Sequence, residues 1–317
     1  MAGPVRIVLL AGGFGGARMA HGFALLGDRV ELSVIGNTAD DLDLHGLHIS
    51  PDLDTVMYTL AGMANEETGW GVRDETWSAV EMLARYGQPT WFRLGDHDLA
   101  THITRTTRLR AGERLTDITA DLCRSLEIGA QLLPMTDASV RTKVRTADGW
   151  LDFQDYFVRR SHADEVLELR FAGIADARPS AEVLAAIHTA DLIVIAPSNP
   201  FVSVAPILGV PGLSQRLLAT PAPVVAVSPI VGGRALRGPA AAMMSSLAGL
   251  APTSASIAAH YARSHPGLVD ILAIDGSDAD QADEIRASGI APLVTRTVIA
   301  APDDRGRLAA ELVDLAG

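Results

Sequence analysis

A glycine-rich turn near the start of the chain has the composition of a phosphate-binding loop. The apolar run Val5–Ala11 leads directly into Gly12-Gly13-Phe14-Gly15-Gly16, and a helical pattern follows. Glycines between a buried strand and a helix let backbone N–H groups approach a phosphate at the helix N-terminus. Tight packing of the strand against the helix would select the same residues. The turn therefore indicates a nucleotide site but leaves the packing explanation open.

Five aspartates follow the second apolar run, Val30–Ile35. They are Asp40, Asp41, Asp43, Asp52 and Asp54. Carboxylates repel phosphate, but they bind Mg²⁺, which typically takes one or two of them and keeps positions for phosphate and water. Any single member could instead cap a helix or close a turn. As a cluster beyond the carboxyl end of a strand, they predict a magnesium site.

Two common nucleotide-binding patterns do not fit this region. The dinucleotide fingerprint requires an acidic residue at the end of the second strand, where this chain has Gly36-Asn37-Thr38. The lysine of a P-loop is also missing, because Arg18 follows the glycines without Lys-Ser/Thr. An NAD-dependent oxidoreductase is therefore disfavoured, although it stays an alternative.

Three later loops also carry candidate ligand-binding side chains. Within Trp91–Leu99, Arg93 could bind a phosphate or stack on a planar ring, and a salt-bridged surface loop is the alternative. Ser198 and Asn199 follow an apolar run, where a hydroxyl and an amide can contact a base or ribose. Ser228–Arg234 repeats this arrangement after the next run. His97 and His102, like His45 and His48, lack a zinc-hydrolase spacing and are interpreted as ordinary polar residues.

Strand-like and helix-like runs alternate at both ends of the chain. The predicted strands are Val5–Ala11, Val30–Ile35, Leu192–Ala196, Val224–Ser228, Ile271–Ile274 and Leu293–Val298. Continuous apolar runs are typical of parallel strands that are buried on both faces. We therefore predict an α/β fold with a Rossmann-like, doubly wound, mostly parallel sheet formed by residues 1–54 and 181–317. Residues 55–180 are predicted to be an inserted region of helices and a β-hairpin that turns at Asp148-Gly149.

Composition limits the classes of function. The 317 residues carry a net charge of −12, which argues against a nucleic-acid partner because such partners require clustered Lys and Arg. Cys123 is the only cysteine, so an intramolecular disulfide and a multi-cysteine zinc site are excluded. The sequence begins with a strand rather than a signal peptide, and its longest uncharged stretch is interrupted by prolines. We expect a cytoplasmic protein without a membrane partner.

Taken together, the ordered motifs resemble the 2-phospho-L-lactate transferase family of coenzyme F-420 biosynthesis, whose actinobacterial members are phosphoenolpyruvyl transferases. The resemblance spans almost the whole chain. It is carried by Gly12–Gly16, Asn37-Thr38-Ala39-Asp40-Asp41, Ser50–Thr55, Trp91–Leu99, Ala196–Pro200 and Ser228–Gly233. One departure is that positions 234 and 237 are Arg, where many relatives are expected to have Lys.

The resemblance implies a Mg²⁺-dependent transfer of a three-carbon acid, as phosphoenolpyruvyl or 2-phospholactyl, from a guanosine-diphosphate-linked donor to the deazaflavin alcohol Fo, with release of GMP. It also implies a homodimer. Asp54 and Arg93 would contact Fo, and the catalytic carboxylates nearest the metal would be Asp40, Asp41 and Asp54. The nucleotide would be held by Gly12, Gly13, Gly15, Asn37, Ser198 and Asn199.

Asp54 is the candidate that takes the proton of the attacking hydroxyl. We therefore expect Asp54→Asn to lose transfer while the fold stays intact, since an amide is nearly isosteric with a carboxylate. A different class of function stays open, namely a non-catalytic regulatory protein that binds a nucleotide or flavin. The aspartate cluster favours the enzyme, because binding alone does not require several carboxylates beside a phosphate loop.

Overall fold

A computed structural model describes residues 3–316. Its strands are β1 Val5–Ala11, β2 Val30–Gly36, β3 Leu42–Leu44, β4 Leu47–Ile49, β5 Gln131–Pro134, β6 Arg141–Thr146, β7 Gly149–Asp152, β8 Glu168–Ala172, β9 Leu192–Ile195, β10 Val224–Val227, β11 Ile230–Val231, β12 Arg234–Ala235, β13 Ile271–Asp275 and β14 Ala291–Thr295. Its α-helices are α1 Gly13–Ala24, α2 Pro51–Leu60, α3 Ser78–Arg85, α4 Asp96–Arg110, α5 Leu115–Ser125, α6 Ala181–Thr189, α7 Ala205–Gly209, α8 Leu213–Leu218, α9 Ala240–Ala248, α10 Ser254–Ser264, α11 Ala282–Ala287 and α12 Pro302–Val313.

Seven strands form one parallel sheet in the order β14-β13-β10-β9-β1-β2-β5. The chain moves outward from β1 in one direction through β2 and in the other through β9. The order of the strands therefore reverses between β1 and β9, and ligands of such sheets bind in the crevice at this point. This arrangement confirms the predicted α/β, Rossmann-like architecture.

Alternating side chains of the strands fill two apolar cores, one on each face of the sheet. In β1, Ile7 and Leu9 face the core formed with α1, α2, α5 and α12, whereas Val8 and Leu10 face the other core. Burial of both faces explains why the strand reads as a continuous apolar run. Within residues 3–316, no helix combines the length and the apolar character needed to cross a membrane.

The local predictions agree with the structure at most elements. Ser180 is the N-cap of α6, and its hydroxyl accepts a hydrogen bond from the Val183 N–H at 3.2 Å. The predicted hairpin is β6–β7, and β8 adds a third antiparallel strand. Strand β5 lies within the span 55–180 that we predicted to be inserted, yet it pairs with β2 at the edge of the main sheet. That span therefore contributes to the central sheet as well as covering it.

Candidate active site

The glycine turn and the loop after β9 meet at the crevice between β1 and β9. The Ser198 hydroxyl donates to the Gly12 carbonyl at 2.8 Å. A Cβ on Gly15 would collide with the Pro197 carbonyl, and a Cβ on Gly12 would lie 2.5 Å from the Cβ of Ser203. Close packing thus accounts for Gly12 and Gly15.

Asp52 lies at the N-terminus of α1, where a phosphate would be expected. Its Oδ2 accepts a 2.9 Å hydrogen bond from the Asn37 amide, and the Gly13 N–H also stabilises the carboxylate. Burial nevertheless raises the pKa of Asp52 to about 6, and the negative charge of Asp41 adds to this effect. The sequence placed Asp52 in the aspartate cluster but did not assign it to the site.

Asn37 is fully buried and holds three segments together. Its amide nitrogen donates to Asp52 and, at 3.3 Å, to the Val202 carbonyl, while its Oδ1 accepts from the Ala39 N–H. These contacts fix the aspartate loop against the loop after β9. A direct contact of Asn37 with a nucleotide stays a prediction.

Asp40 and Asp41 each carry a buried carboxylate oxygen that has no hydrogen-bond partner within residues 3–316. The other oxygen of Asp41 accepts from the Ser50 hydroxyl at 2.9 Å and lies 3.0 Å from the His48 ring. Burial together with the charge of Asp52 raises the pKa of Asp40 well above its usual range. An unpaired, buried carboxylate oxygen is costly, and a bound cation would remove this cost. The pair therefore fits a Mg²⁺ site that is completed by phosphate and water.

The inserted region fixes the position of these two aspartates. The Gln154 amide donates to the Asp40 carbonyl at 2.9 Å, and the Thr142 N–H donates to the Ala39 carbonyl at 2.7 Å. Residues from β6 and from the segment after β7 therefore form one wall of the aspartate loop, so the insertion shapes the site.

Asp54 is also buried, but its environment is different. The guanidinium of Arg105, which is 1% exposed, contacts both carboxylate oxygens, with Nη1 3.1 Å from Oδ2. His102 lies between Asp54 and Asp98, 3.7 Å from the former and 3.2 Å from the latter. The Tyr58 hydroxyl donates to Asp98 at 2.7 Å. Asp54 thus belongs to a buried ionic network that joins α2 to α4.

Within residues 3–316, one group of histidine, cysteine, aspartate or glutamate side chains could supply three metal ligands. Its ligand atoms all lie within 4.8 Å of one another, and it consists of Asp54, Asp98 and His102. Arg105 already supplies a positive charge to this group, because it pairs with Asp54 and lies 3.4 Å from His102 Nδ1. A second cation there would be repelled. The geometry therefore favours the Asp40–Asp41 side for a metal and leaves Asp54 as an oriented carboxylate.

Arg93 is exposed, and its guanidinium carbon lies 4.0 Å from the centre of the Trp77 ring. Trp77 lines a shallow pocket together with Asp98 and Trp70. The structure therefore places Arg93 beside an aromatic pocket that is connected to the Asp54 network through Asp98. Asn199 is half-buried, and its amide nitrogen contacts only the sulfur of Met243, at 3.4 Å, within the described residues. Since sulfur is a weak acceptor, this amide keeps hydrogen-bonding capacity for a ligand.

Sequence reasoning missed the α4 part of the network. Asp98, His102 and Arg105 are spaced i, i+4 and i+7, which places all three on the same face of α4. That face is buried, as these side chains are. The sequence signal for this network is the presence of ionisable residues at helix positions that are normally apolar, and it differs from a zinc-ligand spacing.

The raised pKa of Asp52 predicts a pH-dependent cost in stability. Its pKa rises from 3.8 in the unfolded chain to about 6 in the folded protein, so the folded state retains its proton longer. The contribution of Asp52 to stability is therefore lost as the pH rises from about 4 to above 6. Asp52→Asn should increase the free energy of unfolding by about 3 kcal/mol at pH 7.5, and by much less at pH 4.5. Urea unfolding at both pH values measures this, and an equal change at both would contradict the cause.

The chain is similar to known proteins in both sequence and fold. The model of the family described as "2-phospho-L-lactate transferase CofD" matches residues 7–293. A phosphoenolpyruvate transferase of Kitasatospora aureofaciens is 45% identical over 293 residues, which cover 90% of each chain. A phosphoenolpyruvate transferase of Streptomyces griseus is 43% identical over 317 residues, covering 98% of each.

A solved structure has the same fold at much lower sequence identity. The crystal structure of a UPF0052-family protein from Bacillus halodurans aligns with a TM-score of 0.66 at 16% identity, covering 98% of this chain and 99% of that one. This similarity supports the architecture described above, and the sequence comparisons carry the information on activity.

Proposed function

Because the chain belongs to the 2-phospho-L-lactate transferase (CofD) family and is a transferase of F-420 biosynthesis, we propose that it transfers a phosphoenolpyruvyl group. The donor is a guanosine-diphosphate-linked enolpyruvyl compound, the acceptor is the deazaflavin alcohol Fo, and GMP is released. The observation that carries the choice of enolpyruvyl over lactyl is that the relatives named phosphoenolpyruvate transferase match along nearly the whole chain.

The proposed reaction requires positioning and charge neutralisation rather than a covalent enzyme intermediate. The ribityl hydroxyl of Fo attacks the phosphorus that bears the three-carbon acid, and the bond from that phosphorus to GMP breaks. Asp54 accepts the hydroxyl proton, and Arg105 holds its carboxylate in one orientation. The amide end of α1 and the loop that contains Ser198 and Asn199 receive the nucleotide.

Mg²⁺, when bound, would neutralise the phosphate charge. Asp40 and Asp41 would hold it, since their unpaired buried oxygens fit a hard cation. Asp54, which the sequence suggested as a further ligand, is engaged by Arg105, so we assign it to the acceptor side. The homodimer stays a prediction.

The test is to incubate the protein with Fo, Mg²⁺ and the donor and to follow GMP. We expect GMP to form in proportion to the modified Fo, and EDTA to abolish it. Tight binding of Fo without GMP would favour the regulatory alternative, and reduction of NAD would favour an oxidoreductase. Competition among enolpyruvyl, lactyl and glyceryl donors identifies the three-carbon acid, and a strong preference for the lactyl donor would overturn the choice of donor while leaving the family intact.

Arg93 is expected to contribute to Fo binding through its planar guanidinium. Arg93→Lys should weaken the apparent affinity for Fo several-fold with little change for the donor, because an ammonium cannot stack on the ring system or form paired hydrogen bonds. Steady-state kinetics with each substrate varied in turn measure this. Arg85→Lys, also exposed and in the preceding helix, is the matched control. A loss of apparent affinity for the donor alone would indicate that Arg93 contacts the donor phosphates instead of Fo.

A further inference from the structure

A second cluster of charged side chains lies outside the aspartate site. It surrounds a pocket between α1, α2, the loop of residues 61–71 and the start of α12. Phe14, Arg18, Glu66, Trp70 and Arg305 are among the residues that line it. The function proposed above uses none of these side chains.

Arg305 is almost completely buried, at 1% exposed, and it forms a bidentate ion pair with a carboxylate. Its Nη1 and Nη2 donate to the two oxygens of Glu66 at 3.0 and 2.7 Å. Nη2 also donates to the Ala300 carbonyl at 2.9 Å, whereas Nε is buried without a partner within residues 3–316. The Glu66 side chain itself is 58% exposed. The cation is thus built into the protein, while its anion comes from a surface loop.

Two further guanidinium groups lie near this pair. Arg18 is half-buried, forms no ion pair within the described residues, and has its guanidinium carbon 3.9 Å from the centre of the Phe14 ring. Arg237 lies 4.3 Å from the same ring and donates to the Thr68 carbonyl. Besides Arg305, Arg18 lies close enough to act on the Glu66 carboxylate, and Arg237 lies beside Arg18, in a chain whose net charge is −12. Such a local excess of positive charge attracts an anion.

We propose that this pocket binds a small organic carboxylate, and that the Glu66 carboxylate occupies its position in this structure. The two-pronged contact with Arg305 matches the planar geometry of a carboxylate. Phe14 and Trp70 add apolar surface suited to a short carbon chain. On binding, the ligand displaces Glu66 to solvent, where its exposed position allows it to move.

The position of the pocket identifies the carboxylate as that of the donated three-carbon acid, and this identification rests on the proposed function. Phe14 belongs to the glycine turn, which we assign to the nucleotide. On the other side, the pocket shares Asn65, Trp70 and Gly71 with the pocket that contains Trp77 and Asp98 beside Arg93. A group held by Arg18 and Arg305 would therefore lie between the nucleotide side and the Fo side, as the transferred group must.

The test measures the binding of phosphoenolpyruvate by isothermal titration calorimetry. Glu66→Gln should tighten binding at least about fivefold, because the competing carboxylate no longer occupies Arg305. Arg18→Gln should weaken it, and its melting temperature shows whether the variant is folded. The matched control is Glu67→Gln, which removes the same charge from the neighbouring position of the same loop.

The probes separate a carboxylate subsite from a general anion site. The affinity for inorganic phosphate should increase little in Glu66→Gln. The proposal would be overturned if Glu66→Gln increased the affinity for phosphate as much as that for phosphoenolpyruvate. It would also be overturned if Glu67→Gln increased the affinity for phosphoenolpyruvate equally, or if Glu66→Gln left that affinity unchanged.

Failure of the proposed function gives a different result. In one outcome, the wild-type protein forms no GMP while Glu66→Gln still tightens the binding of phosphoenolpyruvate but not of phosphate. That result would support the carboxylate subsite and contradict the proposed reaction. If GMP forms normally and Glu66→Gln leaves phosphoenolpyruvate binding unchanged, the reaction stands and the subsite is overturned.

Discussion

The variant Asp54→Asn is expected to lose transfer activity by about 10²–10⁴-fold, the range that a positioned general base contributes, and also to become less stable. The sequence alone predicted that the fold would stay intact. The structure changes that expectation, because Asp54 neutralises Arg105, a guanidinium that is 1% exposed. Removing one partner of a buried ion pair costs about 3–5 kcal/mol. Formation of GMP and urea unfolding measure the two effects.

A double variant separates catalysis from folding at this position. Asp54→Asn combined with Arg105→Gln removes both charges, so much of the lost stability should return while transfer stays low. Recovery of activity in the double variant would assign Asp54 a purely structural role. Near-wild-type turnover in Asp54→Asn itself would remove this carboxylate from the reaction.

The sequence predicts most of the fold because the central strands are buried on both faces and therefore appear as apolar runs. Val5–Ala11 was predicted with its observed bounds for this reason. Strand β5 was not predicted, because Gln131–Pro134 has only two leucines between an exposed glutamine and a proline. Its strand conformation depends on pairing with β2, which no local pattern records.

The residues of the candidate site also include some that the sequence predicts and some that it does not. Residues that follow strands in the chain, such as Asp40 and Ser198, could be predicted, because the carboxyl ends of parallel strands converge at one edge of the sheet. The pairing of Asp54 with Arg105 could not be predicted, since 51 residues separate them and the contact depends on how α4 packs against α2. The same holds for Glu66 and Arg305, which are 239 positions apart in the sequence.

Asp40→Asn is expected to lose transfer by at least about 10²-fold and, unlike Asp54→Asn, to make the protein more stable. The buried Asp40 carboxylate has an unpaired oxygen, and burial together with Asp52 raises its pKa well above the usual range. Ionisation of Asp40 therefore opposes folding, and a side chain that cannot ionise removes this cost. The loss of activity follows because a Mg²⁺ ligand supplies several kcal/mol of charge stabilisation.

Asp43→Asn is the matched control, since Asp43 belongs to the same segment but has an exposed side chain that pairs with Arg141. The measurements are a Mg²⁺ titration of GMP formation and the melting temperature without Mg²⁺. Asp40→Asn should require far more Mg²⁺ and melt at a higher temperature, and Asp43→Asn should change neither much. If Asp40→Asn were more stable but required no more Mg²⁺, Asp40 would not be a metal ligand. If Asp40→Asn were less stable, the Asp40 carboxylate would be paired within the folded protein.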